Sequence, residues 1–284
     1  MLGRCYYRST VMEFEDPSQP AFVSESSPPP IHSIEPPAAV SVVHLRKVYG
    51  EKVAVEDLTF SVPRGCFFGF LGPNGAGKTT TIKMLMGLAA PTSGTMELLG
   101  LPMPDEALAI KKQIGLVPDD TLLFDHLTGL EFLEFVGRMY GLGAPLARER
   151  GRELMALFEM DNEERTLIWQ YSKGMRKRVA MAAALIHRPQ LFLMDEPFEG
   201  VDVVGARLMK DILLDRVKSG ATIFLTSHVL EVVERLCDRV GIIHEGKLVI
   251  DDTITNLRQG TDTLEDIFVR AVGGSRLRER LEWL

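Results

Sequence analysis

The sequence predicts an α/β protein with a central parallel sheet, because short apolar runs alternate with helical patterns through its second half. Residues 191–195 (LFLMD), 222–227 (TIFLTS) and 240–246 (VGIIHEG) read as strands with helices between them. Alternating, β-branched runs near the start of the chain predict an N-terminal antiparallel β-subdomain. An almost wholly helical pattern from about 121 to 187 predicts an α-helical subdomain inserted between two strands.

The first part of the chain differs from the rest, because residues 17–39 are rich in proline and serine and include a proline triplet at 28–30. Such a segment buries too little apolar surface to offset the entropy of ordering it. The sequence therefore predicts a disordered tail at 1–38, a folded domain at 39–273 and a short C-terminal extension at 274–284.

Within the domain, the elements can be followed in order. The runs at 41–50 and 55–62 alternate in polarity and are expected to pair as antiparallel strands. The run at 66–72 (CFFGFLG) is apolar and stops at glycine, which predicts a buried strand followed by a helix. A strand at 114–117 (IGLV) leads into an acidic turn and the helical insertion, and a last strand is expected at 248–252 (LVIDD).

The composition argues against several classes of protein. With 284 residues, 45% apolar and 25% charged, the chain resembles an ordinary soluble globular protein. Its net charge of −7 argues against a dedicated nucleic-acid binder, which usually carries a basic face. No apolar stretch is long enough to span a bilayer and no signal-peptide core is found, so work at a membrane would need another chain to span it. Three cysteines without metal-ligand spacing fit a reducing cytoplasm.

The strongest motif is a glycine-rich loop between the predicted strand at 66–72 and the helix after it. Glycines let backbone N–H groups surround phosphates, and the helix directs its positive end at them. The pattern predicts an ATP site in which Lys78 neutralises the β- and γ-phosphates, the Thr79 hydroxyl binds Mg²⁺ and Thr80 contacts phosphate. A chance glycine-rich turn is the alternative, and the position between a strand and a helix argues against it. The residues that match GxxxxGK[ST] are Gly72, Pro73, Asn74, Gly75, Ala76, Gly77, Lys78 and Thr79.

A second motif is the apolar run at 191–195, which ends in Asp195 and is followed by Glu196. Alone, such a run is more often a plain strand end. Paired with the glycine-rich loop, it predicts that Asp195 holds Mg²⁺ and that Glu196 orients or deprotonates the attacking water.

Four further segments accompany these motifs: 171–178 (YSKGMRKR), 200–202 (GVD), Ser227 with His228, and Tyr49. In this order, the whole set resembles the ATP-binding subunits of ABC transporters, in the form found in drug and polysaccharide exporters. The resemblance covers about residues 40 to 270. It implies a P-loop NTPase fold with a RecA-like parallel core, an antiparallel β-subdomain and an inserted helical subdomain.

The resemblance also implies roles for individual residues. Ser172 and the Gly174 backbone would contact the γ-phosphate bound to the opposite subunit of a head-to-tail dimer. Asp202 would belong to the D-loop and is counted with the nucleotide-binding residues. His228 would be the switch histidine that contacts the γ-phosphate, and Tyr49 would stack on adenine. Because the chain has one copy of each motif, a homodimer or heterodimer of ATPase subunits is implied.

The chain departs from the family pattern at three positions, one of which, Phe198 in place of a frequent threonine, has no functional account. Asp119 stands where the family usually carries glutamine; a carboxylate can accept a metal contact but, when ionised, cannot donate a hydrogen bond. Asp119 remains a candidate for binding both the nucleotide and Mg²⁺. The segment 171–178 resembles the ABC signature motif. Lys173 replaces the first glycine of the commoner form of this motif, and its side chain is expected to point into solvent. The basic run at 176–178 is expected to be a solvated face.

The resemblance implies an ATPase that sits on the cytoplasmic face of the cell membrane as a peripheral protein and drives a separate transmembrane permease subunit, most often for export. Residues 122–124 (LLF) either form an apolar surface that receives a short permease helix or pack inside the helical subdomain. The alternative function is a soluble ABC ATPase that acts on nucleic acid or the ribosome. The acidic net charge disfavours it, and no nucleic-acid partner is expected.

Overall fold

The computed structural model describes residues 38–120, 123–258 and 262–273. The described strands form one sheet, and helices lie between them along the chain. The strands are β1 (Ala38–Tyr49), β2 (Lys52–Pro63), β3 (Phe67–Leu71), β4 (Ser93–Leu98), β5 (Leu101–Met103), β6 (Ile114–Val117), β7 (Leu191–Asp195), β8 (Thr222–Ser227), β9 (Arg239–His244) and β10 (Lys247–Thr253). The helices are α1 (Lys78–Leu85), α2 (Ala107–Lys111), α3 (Gly129–Met139), α4 (Ala144–Leu157), α5 (Lys173–Leu185), α6 (Val203–Lys218), α7 (Leu230–Leu236), α8 (Ile254–Leu257) and α9 (Leu264–Ala271), with 3₁₀ turns at Asp161–Glu163 and Ile168–Gln170.

The sheet has the strand order β5-β4-β1-β2-β10-β9-β3-β8-β7-β6. From β9 to β6 all neighbouring strands are parallel, whereas β1, β2, β4 and β5 pair antiparallel. Strand β10 runs antiparallel to β9 and meets β2 through the pair Lys247 and Asp57. The predicted α/β class, with a parallel core and an N-terminal antiparallel β-subdomain, is confirmed.

Strand β3 shows why this core forms, because its side chains alternate between the two faces of the sheet. Phe67 and Leu71 join the apolar cluster that includes residues of α5, α6 and α7. Phe68 and Phe70 join a second cluster with α1 and the antiparallel strands. Ring centroids in this second cluster lie 5.4 to 6.1 Å apart, so rings from β2, β3 and β8 pack together. The stacked rings are Phe60, Phe68, Phe70 and Phe224.

The described residues between β6 and β7 hold α3, α4, α5 and both 3₁₀ turns, as the helical pattern predicts. Helix α3 begins at a capping box, in which Thr128 and Glu131 each bond the other's backbone N–H. Helices α3 and α4 pack closely, since a Cβ on Gly137 would lie 3.0 Å from Ala147 Cβ. The exact limits of this insertion, about 121–187, stay a prediction.

Two other predictions fall outside the part of the chain that is described. The disordered tail, apart from Ala38 at the start of β1, and the C-terminal extension at 274–284 lie there. Among the described helices, none has both the length and the apolarity needed to cross a membrane.

Candidate nucleotide-binding site

The glycine-rich loop joins the buried strand β3 to helix α1, as the sequence predicts. Gly75 and Gly77 have φ angles of 80° and 112°, a region that side chains with a Cβ rarely adopt. A Cβ on Gly72 would lie 2.5 Å from the Ile243 carbonyl oxygen, so only glycine fits there without movement. The loop therefore needs its glycines for its own path, before any ligand is considered.

Lys78 is the first residue of α1, and its ammonium group turns back into the loop. Its Nζ donates to the carbonyl oxygens of Gly72 at 2.7 Å and Pro73 at 3.3 Å. Burial lowers the pKa of Lys78, and the nearby carboxylates of Glu196 and Asp195 oppose that shift. A cation is thus held inside the loop, at the point where phosphate groups would enter.

Strands β7 and β8 place the acidic residues opposite this lysine. Asp195, the last residue of β7, is buried and pairs in register with Thr226 of β8. The Thr226 hydroxyl donates to Asp195 Oδ1 and accepts a hydrogen bond from the Glu196 backbone N–H at 3.2 Å. Thr226 therefore fixes both acidic residues, although it belongs to none of the sequence motifs. A polar residue within the buried run TIFLTS was the signal that could have found it.

Glu196 and His228 form a hydrogen-bonded pair at the carboxyl ends of β7 and β8. His228 Nδ1 lies 2.8 Å from Glu196 Oε1, and the carboxylate accepts this bond. Burial raises the pKa of Glu196, while the hydrogen bond and charge of His228 lower it. A raised pKa suits a group that must take a proton, and the histidine limits the rise.

Replacing His228 with alanine is expected to move the acid limb of the rate–pH profile to higher pH. The bond from His228 lowers the pKa of Glu196, so its loss raises that pKa and leaves less ionised glutamate at a given acidic pH. Turnover measured across pH on the purified chain tests this. His44→Ala is the control, because His44 is exposed and bonds Asp57 on the antiparallel strands. An unmoved limb in His228→Ala would contradict the pairing.

The loop, the acidic strand end and the histidine surround one cavity of about 490 Å³. Three of its lining residues, Lys52, Ala54 and Glu199, are in none of the predicted motifs. Lys52 stands opposite Tyr49 in the β1–β2 pairing, which places Tyr49 at the turn beside the cavity. The predicted site residues that line the cavity are Asn74, Gly75, Gly77, Lys78, Thr79, Thr80, Asp119, Glu196 and His228.

The segment 171–178 begins helix α5, with Ser172 as its N-cap. The Ser172 hydroxyl accepts from the Met175 backbone N–H at 3.2 Å, and Ser172 itself is exposed. A Cβ on Gly174 would lie 3.3 Å from the Gly200 carbonyl oxygen, so this helix start touches the segment 200–202. Neither Ser172 nor Gly174 lines the cavity.

Comparison with known proteins bears on this arrangement. Residues 55–199, about half of the chain, match the ABC transporter family. The chain belongs to the ABC transporter family. A relative at 38% identity is the linearmycin resistance ATP-binding protein LnrL of Bacillus subtilis, over 81% of this chain and 74% of that protein. The Nod factor export ATP-binding protein I of Ralstonia nicotianae is 40% identical over 78% of this chain and 69% of its own length. The daunorubicin resistance ATP-binding protein DrrA3 of Streptomyces coeruleorubidus is 37% identical over 83% and 75%.

Solved structures show the same fold. An ATP-binding subunit of an ABC transporter superposes with a TM-score of 0.77 at 30% identity, over 82% of this chain and 99% of that chain. A dimeric ATP-binding cassette bound to ADP and Pi gives a TM-score of 0.71 at 24% identity, over 76% and 98%, and this likeness concerns the fold alone. This ABC chain is therefore an ATP-binding and ATP-hydrolysing subunit, as the motifs predict.

One prediction is wrong, and it concerns α5, the ABC signature helix, which begins within the segment 171–178. The basic run at 176–178 is not a solvated face, because the side chains of Lys177 and Arg178 are only 1% and 13% exposed. Arg178 reaches the D-loop, where its Nη2 lies 2.6 Å from Asp202 Oδ2. Arg176 bonds Asp125 at 2.8 Å. A run of charges looks solvated in a sequence, yet each side chain here finds its own partner.

Three other residues of the ABC motifs make contacts within the chain. Asp202 caps α6 by accepting from the Gly205 backbone N–H at 2.9 Å, and it does not line the cavity. Tyr49 is half exposed, with Lys47 Nζ 4.7 Å from its ring centroid. The side chain of Lys173 is 58% exposed, as expected, but it also pairs with Glu199 at 2.8 Å.

Proposed function

We propose that this chain dimerises around ATP and drives a separate transmembrane permease, for export. One observation carries the proposal. The cavity is lined by residues of the glycine-rich loop, by Glu196 and by His228, whereas the signature residues Ser172 and Gly174 lie outside it at an exposed helix start. A helix N-terminus offers free N–H groups to an anion. A second subunit can therefore supply what this cavity lacks, and ATP would join the two.

The residues around the cavity take the following roles in hydrolysis. Lys78 neutralises the phosphates, and free backbone N–H groups of the glycine-rich loop bind them. Glu196 takes a proton from the attacking water, for which its raised pKa suits it. His228 orients Glu196 through their hydrogen bond and contacts the γ-phosphate, so the presence of that phosphate is coupled to the base.

The oxygen donors around the cavity fit Mg²⁺. Magnesium in phosphate sites is usually bound by one or two carboxylates together with substrate phosphates. Thr79 and Asp119 line the cavity, and buried Asp195 stands beside it with its carboxylate fixed by Thr226. These three residues would hold the ion, which would offset charge on the phosphates when bound. Asp119 would supply a carboxylate oxygen where the family usually has the amide oxygen of glutamine.

Residues 122–124 divide in a way that favours a partner surface. Leu122 lies outside the described residues. Leu123 packs against the apolar cluster that includes residues of α5, α6 and α7. Phe124 is 51% exposed and contacts Phe135 with ring centroids 5.2 Å apart. Trp169 is 58% exposed, and its backbone N–H bonds the Asp125 carbonyl oxygen at 3.2 Å. We assign Phe124, Phe135 and Trp169, the exposed aromatic surface, to the permease, because aromatic side chains are enriched at interfaces.

Export rather than another use of ATP is supported by the relatives, whose names describe resistance to linearmycin or daunorubicin and export of Nod factor. The permease places the chain at the cytoplasmic face of the membrane. Purification of the tagged chain from detergent-solubilised membranes of its native host, with mass spectrometry of bound proteins, tests the proposal. A membrane-spanning protein in near-equal amount is expected. Recovery only from the soluble fraction, with ribosomes or nucleic acid, would contradict it.

Replacing Phe124 with serine is expected to reduce the recovered permease by about tenfold, since aromatic anchors carry much of the energy of an interface. The ratio of permease to tagged chain after solubilisation is the measurement. Leu108→Ser is the matched control, because Leu108 is a 75% exposed apolar residue on α2. Equal loss of permease in both variants would argue against the exposed aromatic surface as the contact.

A further inference from the structure

Lys177 is a buried lysine in the second turn of α5, and its side chain is 1% exposed. Its Nζ lies 2.8 Å from the Asp119 carbonyl oxygen, 3.3 Å from that of Glu196 and 3.4 Å from that of Pro118. An ammonium group has three N–H donors, so three backbone acceptors satisfy it. Asp119 Oδ1 stands 3.6 Å away and adds an opposite charge. A buried charge with this many partners is costly to leave unpaired, so the three acceptors are held firmly in place.

These three carbonyl groups belong to two of the segments that form the nucleotide cavity. Pro118 and Asp119 follow β6, and Glu196 follows β7. Lys177 itself stands on the helix that the signature residues begin, five residues after Ser172. One side chain thus connects the signature helix to the segment that carries Asp119 and to the residue that carries the proposed base.

The backbone of Glu196 has an unusual conformation that depends on such contacts. Its φ is 46°, in the left-handed region that a residue with a long side chain seldom adopts. Such a conformation persists only when surrounding contacts over-determine it. The Thr226 hydroxyl accepts from the N–H of Glu196. The Glu196 carbonyl oxygen accepts from the Glu199 backbone N–H at 3.2 Å and from Lys177 Nζ at 3.3 Å, so Lys177 is the side chain that holds this carbonyl group. The direction of the Glu196 carboxylate depends on this backbone.

We propose that Lys177 is a positioning residue for ATP hydrolysis: its ammonium group fixes the Glu196 backbone so that the carboxylate faces the cavity. This rests on the proposed role of Glu196 as the base. Lys177 does not line the cavity and acts through Glu196. Because Lys177 lies on α5, displacement of this helix would also move Glu196. Hydrolysis therefore requires that α5 stay packed in its observed position.

Steady-state ATP hydrolysis by the full chain carrying Lys177→Met tests this. Methionine keeps an unbranched, apolar stem and removes the three donors. Turnover is expected to fall by about 10²-fold, as small misplacements of a reacting group can cost that much. The KM for ATP should stay within about threefold, because no ground-state contact to ATP is removed. Lys177→Gln, which keeps an N–H₂ donor, is expected to recover part of the loss and gives the same contrast should the methionine variant fold poorly.

Arg150→Met is the matched control. Arg150 also bonds a backbone carbonyl group, that of Ile186 at 2.9 Å, but at the C-terminal end of α5. This variant should change thermal stability, but it should not lower kcat while leaving KM unchanged. A second readout is the ATP-dependent dimer of Glu196→Gln, which should persist when Lys177→Met is added, because Lys177 positions the base and does not assemble the dimer.

Four outcomes would overturn the proposal. A proportional loss of ATP affinity in Lys177→Met, or loss of the ATP-dependent dimer in the double variant, would make Lys177 a binding or assembly residue. Wild-type turnover in Lys177→Met, with Glu196→Gln inactive, would leave the role of Glu196 standing and remove that of Lys177. Wild-type turnover in Glu196→Gln would remove the base itself, and the positioning role with it.

Discussion

Replacing Glu196 with glutamine is expected to lower ATP turnover by about 10²- to 10⁴-fold, since glutamine cannot take the proton from water. The amide has nearly the shape of the carboxylate, so ATP binding should remain within about threefold of the wild-type value. Phosphate release and binding of a fluorescent ATP analogue measure the two effects separately. With binding intact and hydrolysis blocked, the variant should accumulate as an ATP-bound dimer, visible by size-exclusion chromatography with light scattering.

Glu234→Gln is the control for this variant. Glu234 is another partly buried, ion-paired glutamate, whose Oε1 lies 3.1 Å from Arg258 Nη2. It does not line the nucleotide cavity and should leave turnover unchanged. Undiminished hydrolysis in Glu196→Gln would contradict the role assigned to Glu196.

Replacing Lys78 with methionine is expected to weaken ATP binding by about 10- to 100-fold, because hydrogen bonds to charged groups contribute ~1.5–3 kcal/mol. Methionine has a similar length but neither charge nor donors. In the structure, Lys78 Nζ lies inside the loop at 2.7 Å from the Gly72 carbonyl oxygen, where it can meet phosphate oxygens. Titration with a fluorescent ATP analogue is the measurement.

Lys83→Met is the matched control, since Lys83 is an exposed lysine in the last turn of the same helix. It should bind ATP as the wild type does. Wild-type affinity in Lys78→Met, or equal loss in both variants, would show that the loop does not use the lysine for phosphate.

Much of this fold and site could be predicted from the sequence, because the decisive signals are local. The loop at 72–77 turns sharply after a buried strand, and the glycines at its positions of positive φ indicate this turn in the sequence. Glu196 and His228 follow apolar strands, and parallel strands bring their carboxyl ends to one edge of the sheet. The strand pattern therefore favours placing these residues at the edge of the sheet where ligands bind.

Contacts between distant segments could not be predicted in the same way. Thr226 looks like any strand residue until the register of β7 and β8 places it against Asp195. Lys177 looks like part of a solvated basic run until the insertion folds α5 against the segments after β6 and β7. In both cases the role is set by which backbone groups need a partner, and a sequence does not display that need.

If this chain hydrolyses ATP while bound to a permease, as proposed, the activity can be measured in the purified membrane complex. Complexes would be isolated from solubilised membranes through the tagged wild-type chain and through Glu196→Gln, and ATP hydrolysis per chain would be compared. We expect the same membrane-spanning protein in both preparations, with hydrolysis in the wild-type complex only. Equal hydrolysis in the two complexes, or no membrane-spanning protein in either, would contradict it.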